Sequence, residues 1–120
     1  MLSKNEDVST PMMVLSTYIA GAAKRRLPAA VLEKTKHHVL DTLAAMISGS
    51  RLKPGEMAVK FARSQGGKKE ATVIGTKLVT SAINASMANG MLAHADETDD
   101  SHQRGRLHPG CATIPAALAV

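Results

Sequence analysis

Prolines at positions 11, 28 and 54 and glycines at 49, 66 and 67 divide the first half of the chain into three segments, each with apolar residues at helical spacing. This punctuation constrains the fold more than any other feature. Proline fits the first turn of a helix but not its interior, and glycine is a common stop just past the end. In the first segment Ser9 or Thr10 caps a helix with Pro11 in its opening turn. Met12, Leu15, Tyr18, Ile19 and Ala22 share a side, and Lys24, Arg25 and Arg26 follow where the helix dipole favours cations. The second segment runs from Pro28 to about Ser48, with Leu32, Val39, Leu40, Leu43, Met46 and Ile47 as its apolar stripe. Glu33, His37 and Asp41 lie four apart on another face, an arrangement expected to form a surface ion pair. The third starts at Pro54 and offers Met57, Val59, Phe61 and Ala62 for burial.

The second half continues the pattern with one interruption. Thr72, Val73 and Ile74 are a β-branched run, Gly75 to Lys77 a turn, and Leu78 and Val79 a second apolar pair, which predicts a hairpin over 71–79 lying against the helices. Thr80 or Ser81 caps a fourth helix through Ile83, Met87, Met91 and Leu92, in which Ala82, Ala85, Ser86, Ala88 and Gly90 allow close approach of another backbone. A fifth helix, buried, is expected over 110–120. The fold class is therefore all-α, about five helices with one short β-hairpin, as a single helical domain segment over 10–120 after a disordered N-terminus at 1–9.

With one tyrosine, one phenylalanine and no tryptophan, the interior must be assembled from Ala, Leu, Val, Ile and seven methionines. The stretch GCATIPAALAV at 110–120 is apolar nearly all round and needs covering, so the chain is expected to be part of a larger protein or a homodimer or higher oligomer. A net charge of +5 favours anionic partners such as a small carboxylated substrate. Nucleic acid is not expected, because Lys24 to Arg26 is the only basic triplet and aromatic rings for base stacking are nearly absent. The single Cys111 fits a reducing compartment. The polar N-terminus and the lack of a membrane-length apolar run point to a cytoplasmic protein without membrane contact.

Chemistry is concentrated in Ala93 to Gly110, AHADETDDSHQRGRLHPG, which holds Asp96, Glu97, Asp99, Asp100, Ser101, His94, His102 and His108. Four carboxylates in five residues belong on a loop or helix end, and Gly105, Pro109 and Gly110 oppose a continuous helix. The spacing fits neither zinc pairs nor an EF-hand loop, so no metal and no cofactor are expected. General acid and base chemistry suits the residue types, since imidazole titrates near neutrality and a neighbouring carboxylate orients the ring. Composition alone also allows a solvated acidic loop with no chemical role.

These residues resemble a known family. NASMANGMLAHADETDDSH, then LHPG and PAALA, is similar to the N-terminal signature of the MmgE/PrpD family; VLDTLAAMISGS at 39–50 resembles its Leu-Asp-Thr helix and ATVIG at 71–75 its short strand. The resemblance implies a lyase acting on a small tricarboxylate, as 2-methylcitrate dehydratase and cis-aconitate decarboxylase do, without an iron–sulfur cluster. It implies His108 as the active-site histidine and Glu97, or alternatively Asp96, as the upstream catalytic carboxylate. Ser101 falls on the hydroxyl residue after Asp-Asp, and Asp100 and His102 join it as substrate-binding candidates. Family members are several times longer and carry a separate lid domain. The segment alone is thus expected to be a weak or inactive catalyst, the alternative being a non-catalytic, oligomerising remnant.

Overall fold

The computed structural model describes residues 9–120. The elements in order are helices α1 (Thr10–Ala22), α2 (Ala29–Gly49) and α3 (Lys53–Gln65), strands β1 (Ala71–Thr72) and β2 (Val79–Thr80), and helices α4 (Ala82–Ala93) and α5 (Pro109–Ala119). The expected mainly helical class with one hairpin is what forms. The expectation of disorder over 1–9 lies outside the described residues except for Ser9, which stands at the N-cap of α1 but makes no side-chain capping hydrogen bond. Among the described residues no helix is long and apolar enough to cross a membrane.

The chain divides into two compact units, 1–32 and 33–120. In the first, α1 has Pro11 in its opening turn and no buried residue, and the Arg25 guanidinium sits 5.5 Å from the Tyr18 ring centre. Met12, Leu15, Tyr18 and Ile19 are all exposed.

In the second unit α4 is the hub, packing against α3, α5 and both strands. Its N-cap Ser81 accepts a hydrogen bond from the Asn84 amide, as the Ser at the head of an apolar run predicts. The core consists of Met46, Ala58, Ala62, Val73, Ala85, Ala88, Leu92 and Ala93, without an aromatic ring. Fully burying Met46 contributes roughly 1.5–3 kcal/mol. Leu43, Val59, Ile74, Leu78 and Ile114 pack partly buried against this core, and backbones approach closely along seams of small residues.

Those seams correct the apolar stripes read from the sequence. On α2 the buried positions are Thr42, Ala45, Met46 and Gly49, while Leu40 is 68% and Ile47 49% exposed. On α3 they are Gly55, Ala58 and Ala62, with Met57 and Phe61 outside. A side chain at Gly49 would collide with the Leu92 carbonyl, and one at Gly55 with the Gly49 carbonyl. The contact of backbone on backbone fixes the rotation of each helix, and the larger side chains turn outward. In α5 only Gly110 and Pro115 are buried, so the expected all-round burial of 110–120 does not occur within this chain. Glu33 pairs with Lys36 at 2.6 Å rather than with His37.

Asn89 locks the hairpin to α4. Its side chain, almost fully buried, accepts from the Ile74 amide at 2.8 Å and donates to the Thr72 carbonyl at 3.1 Å. The strands pair antiparallel, Ala71 with Thr80 and Thr72 with Val79, around a turn in which Gly75 takes a φ of 73°. After α4, the Asp96 carboxylate accepts from the Ser48 hydroxyl and from the Thr98 hydroxyl, each at 2.6 Å. The Ser48 and Thr98 hydrogen bonds hold the Asp96 carboxyl below its ordinary value of 3.8.

Two outcomes are expected. Gly49→Ala should lower stability by about 3 kcal/mol, the upper end for overpacking, because backbone cannot yield. Gly21→Ala, which meets only the flexible Arg25 side chain, should be neutral or slightly stabilising; equal thermal shifts in the two variants would contradict the close-approach account. A carboxyl with a lowered folded pKa stabilises the fold above its unfolded pKa and loses that contribution as pH falls through the folded value. Ser48→Ala should therefore reduce the melting temperature at pH 7, with the gap from the parent closing below about pH 4; a gap independent of pH would contradict the tie.

Candidate active site

The turn from α4 to α5 gathers the chemical residues. His94 is the C-cap of α4, where the helix stops and the chain reverses through a residue with positive φ, Glu97 at 59°. This reversal brings Asp99 back beneath the helix end with no exposed side-chain surface. His94 Nδ1 lies 3.2 Å from Asp99 Oδ1 and 3.3 Å from Oδ2. His108, the N-cap of α5, places its Nδ1 3.3 Å from Asp99 Oδ1. The two rings tilt against each other with centres 4.9 Å apart. A carboxylate removed from water is costly unless paired, and here both partners are imidazoles.

Around this trio the shell is polar. Glu97 Oε1 sits 3.4 Å from His94 Nε2, so each nitrogen of that ring faces a carboxylate. In the first turn of α5, Cys111 Sγ donates to the His108 carbonyl at 3.2 Å. Burial first, and then the Asp99 and Asp100 carboxylates, push the Cys111 thiol above its ordinary value, so it is a poor nucleophile at neutral pH.

Asp100 anchors the start of α5. Its Oδ1 accepts from the Gly110 amide at 2.8 Å, and its Oδ2 lies 3.6 Å from His38 Nδ1 on α2. A side chain at Gly110 would collide with Asp100 Oδ1 and stand 2.7 Å from Thr42 Oγ1, which explains a glycine directly after His-Pro. Gly90 on α4 similarly leaves room for the Cys111 carbonyl.

Of the six residues singled out from the sequence, His108 and Glu97 lie beside the central pair, and Asp100 is engaged with the α5 backbone. Asp96 turns to Ser48 and Thr98, whereas Glu97 is the carboxylate beside His94 Nε2. Ser101 is exposed in the loop. His102 is exposed as well, and its Nδ1 accepts from the Gly105 amide at 2.9 Å while its backbone bridges to Leu107, so the ring closes its own loop. The sequence reading placed Asp99 and His94 in the chemical segment without a catalytic or substrate-binding role, and gave no role to Cys111 or His38. One short-range signal was present, the histidine three residues before a cysteine at a helix start, which links Cys111 to His108.

The family model of the MmgE/PrpD N-terminal domain matches residues 14–120. The cis-aconitate decarboxylase-like protein oryM of Aspergillus oryzae (strain ATCC 42149 / RIB 40) is 32% identical over 93 residues, covering 78% of this chain and 19% of that protein. Cis-aconitate decarboxylase of Aspergillus terreus is 31% identical over 93 residues with the same coverage, 78% and 19%. The chain thus spans about a fifth of the length of these curated relatives. No solved structure matches it. With the family's N-terminal domain matched over nearly the whole chain, this protein belongs to the MmgE/PrpD family.

Proposed function

We propose that the chain supplies one wall of a lyase site that acts on a small tricarboxylate. The observation that carries the reading is the fully buried Asp99 carboxylate set between the His94 and His108 rings. Asp99 holds the His94 ring by hydrogen bonding and stands 3.3 Å from His108 Nδ1, and with that nitrogen turned inward His108 keeps Nε2 for the substrate. Its decarboxylase relatives favour loss of carbon dioxide from an unsaturated tricarboxylate such as cis-aconitate over loss of water from 2-methylcitrate. In that reaction the bond from carbon to one carboxylate breaks, carbon dioxide leaves, and the electron pair left behind is taken up by a proton from an imidazolium. Dehydration uses the same groups in another order: a base removes a proton beside a carboxylate and an acid protonates the departing hydroxyl.

Proton transfer by these side chains is the chemistry that either course calls on. Arg104 and Arg106, on the loop before His108, and the net charge of +5 favour approach of a polyanion. The compartment consistent with a free Cys111 thiol is a reducing one such as the cytoplasm. Because the chain spans only 19% of its relatives' length, turnover by this segment alone is expected to be slow.

Titration with cis-aconitate, followed by proton–nitrogen correlation of the imidazoles, is expected to move the His94 and His108 signals and leave His37 and His102 in place. His108→Ala should reduce carbon dioxide release by about a hundredfold or more, the usual size of a general acid's contribution. Shifts confined to His37 or His102, or turnover indifferent to His108→Ala, would contradict the reading.

A further inference from the structure

We propose that the outward face of α3, together with the basic residues at either end of that helix, docks on an anionic lipid membrane surface. Residues 51–69 hold six cations, Arg51, Lys53, Lys60, Arg63, Lys68 and Lys69, against one carboxylate, Glu56. Their net charge of +5 equals that of the whole chain, so the rest of the molecule is balanced and the excess is concentrated here. All six cations are exposed, and of them only Lys68 has a carboxylate partner among the described residues, Glu70 at 3.0 Å.

Apolar side chains stand among these cations. α3 turns Gly55, Ala58 and Ala62 inward. At 3.6 residues per turn, Lys53, Met57, Lys60 and Phe61 fall on the opposite side. Met57 is 51% and Phe61 50% exposed, and Leu52, just before the helix, is 36% exposed. The inner side of α3 is already packed on α4, so docking requires no folding of the helix.

The charge decides what can cover this face. Lysine and arginine are almost never buried unless paired, so the interior of a larger protein is a poor cover for six of them. A protein partner fits less well too, because interfaces are depleted in lysine and four of the six cations are lysines. A leaflet containing acidic phospholipids suits both the charge and the apolar pair. Basic clusters of this size on a helix are drawn to its headgroups. The ammonium groups stay at headgroup level on their methylene stems, while Met57 and Phe61 reach the acyl boundary beneath. The expectation of no membrane contact rested on the lack of a spanning run, and a helix lying in the interface needs none.

None of these side chains belongs to the Asp99 cluster, and vesicle binding is measured without turnover. The test is cosedimentation of the full chain with vesicles of one part phosphatidylserine to two parts phosphatidylcholine, against vesicles of phosphatidylcholine alone. Binding is expected only to the acidic vesicles, and it should fall as salt is raised. Lys53→Gln with Lys60→Gln should weaken it about fivefold for each cation removed. Phe61→Ala, which changes no charge, should weaken it about fivefold as well, with unchanged far-ultraviolet circular dichroism in every variant. Lys34→Gln with Lys36→Gln, which removes two exposed lysines from α2, should leave binding in place. No binding to the acidic vesicles, equal binding to both kinds, or the same loss from either lysine pair would overturn the proposal. Binding that Phe61→Ala leaves unaltered would overturn it too. So would tighter binding to a mixed-sequence DNA duplex than to the vesicles, which assigns the face to nucleic-acid phosphates.

Discussion

A carboxylate with no solvent-exposed side-chain surface sets the terms for the second half of this chain. Asp99 is stable in its place only while cationic or donor groups surround it, and those groups come from two helix ends. α4 must stop at His94, the chain must reverse through the strained backbone of Glu97, and α5 must begin at His108. Asp100 then ties the first turn of α5 by accepting from the Gly110 amide. Each of these features is local, and together they leave two imidazoles facing one carboxylate.

The helices reach that arrangement through small residues rather than large ones. Gly49 against Leu92, Gly55 against Gly49 and Gly90 against Cys111 are contacts in which any side chain would occupy the neighbour's backbone. A core of alanines, one valine, one leucine and one methionine has little shape of its own, so the close backbone contacts specify how the helices lie. The outcome is a cluster of imidazoles and carboxylates held by main chain on one side and by a buried carboxylate on the other. Asn89 extends the same logic to the hairpin, replacing a missing strand partner with side-chain amide bonds.

Helix boundaries were legible because proline, glycine and hydroxyl caps act over one turn of chain, and Ser81 does what its position suggests. The rotation of each helix was not. Leu40, Ile47 and Phe61 are the residues that hydropathy would bury, yet glycine and alanine win the interior because only they permit the observed spacing. At the site, His108 could be singled out by its His-Pro-Gly context, whereas Asp99 and His94 could not be told from their acidic and histidine neighbours. Which carboxylate of four goes inside depends on a left-handed turn at Glu97, a non-glycine residue whose sequence gives no sign of it.

If Asp99 serves catalysis by holding the His108 ring, the two residues form one functional unit. The most direct measurement is a double-mutant cycle on kcat/KM for tricarboxylate turnover with Asp99→Asn, His108→Ala and the combined variant. The account predicts that the combined loss is no greater than that of the worse single variant, since the carboxylate acts only through the ring. Losses that multiply would mean the two side chains act independently, and would contradict it.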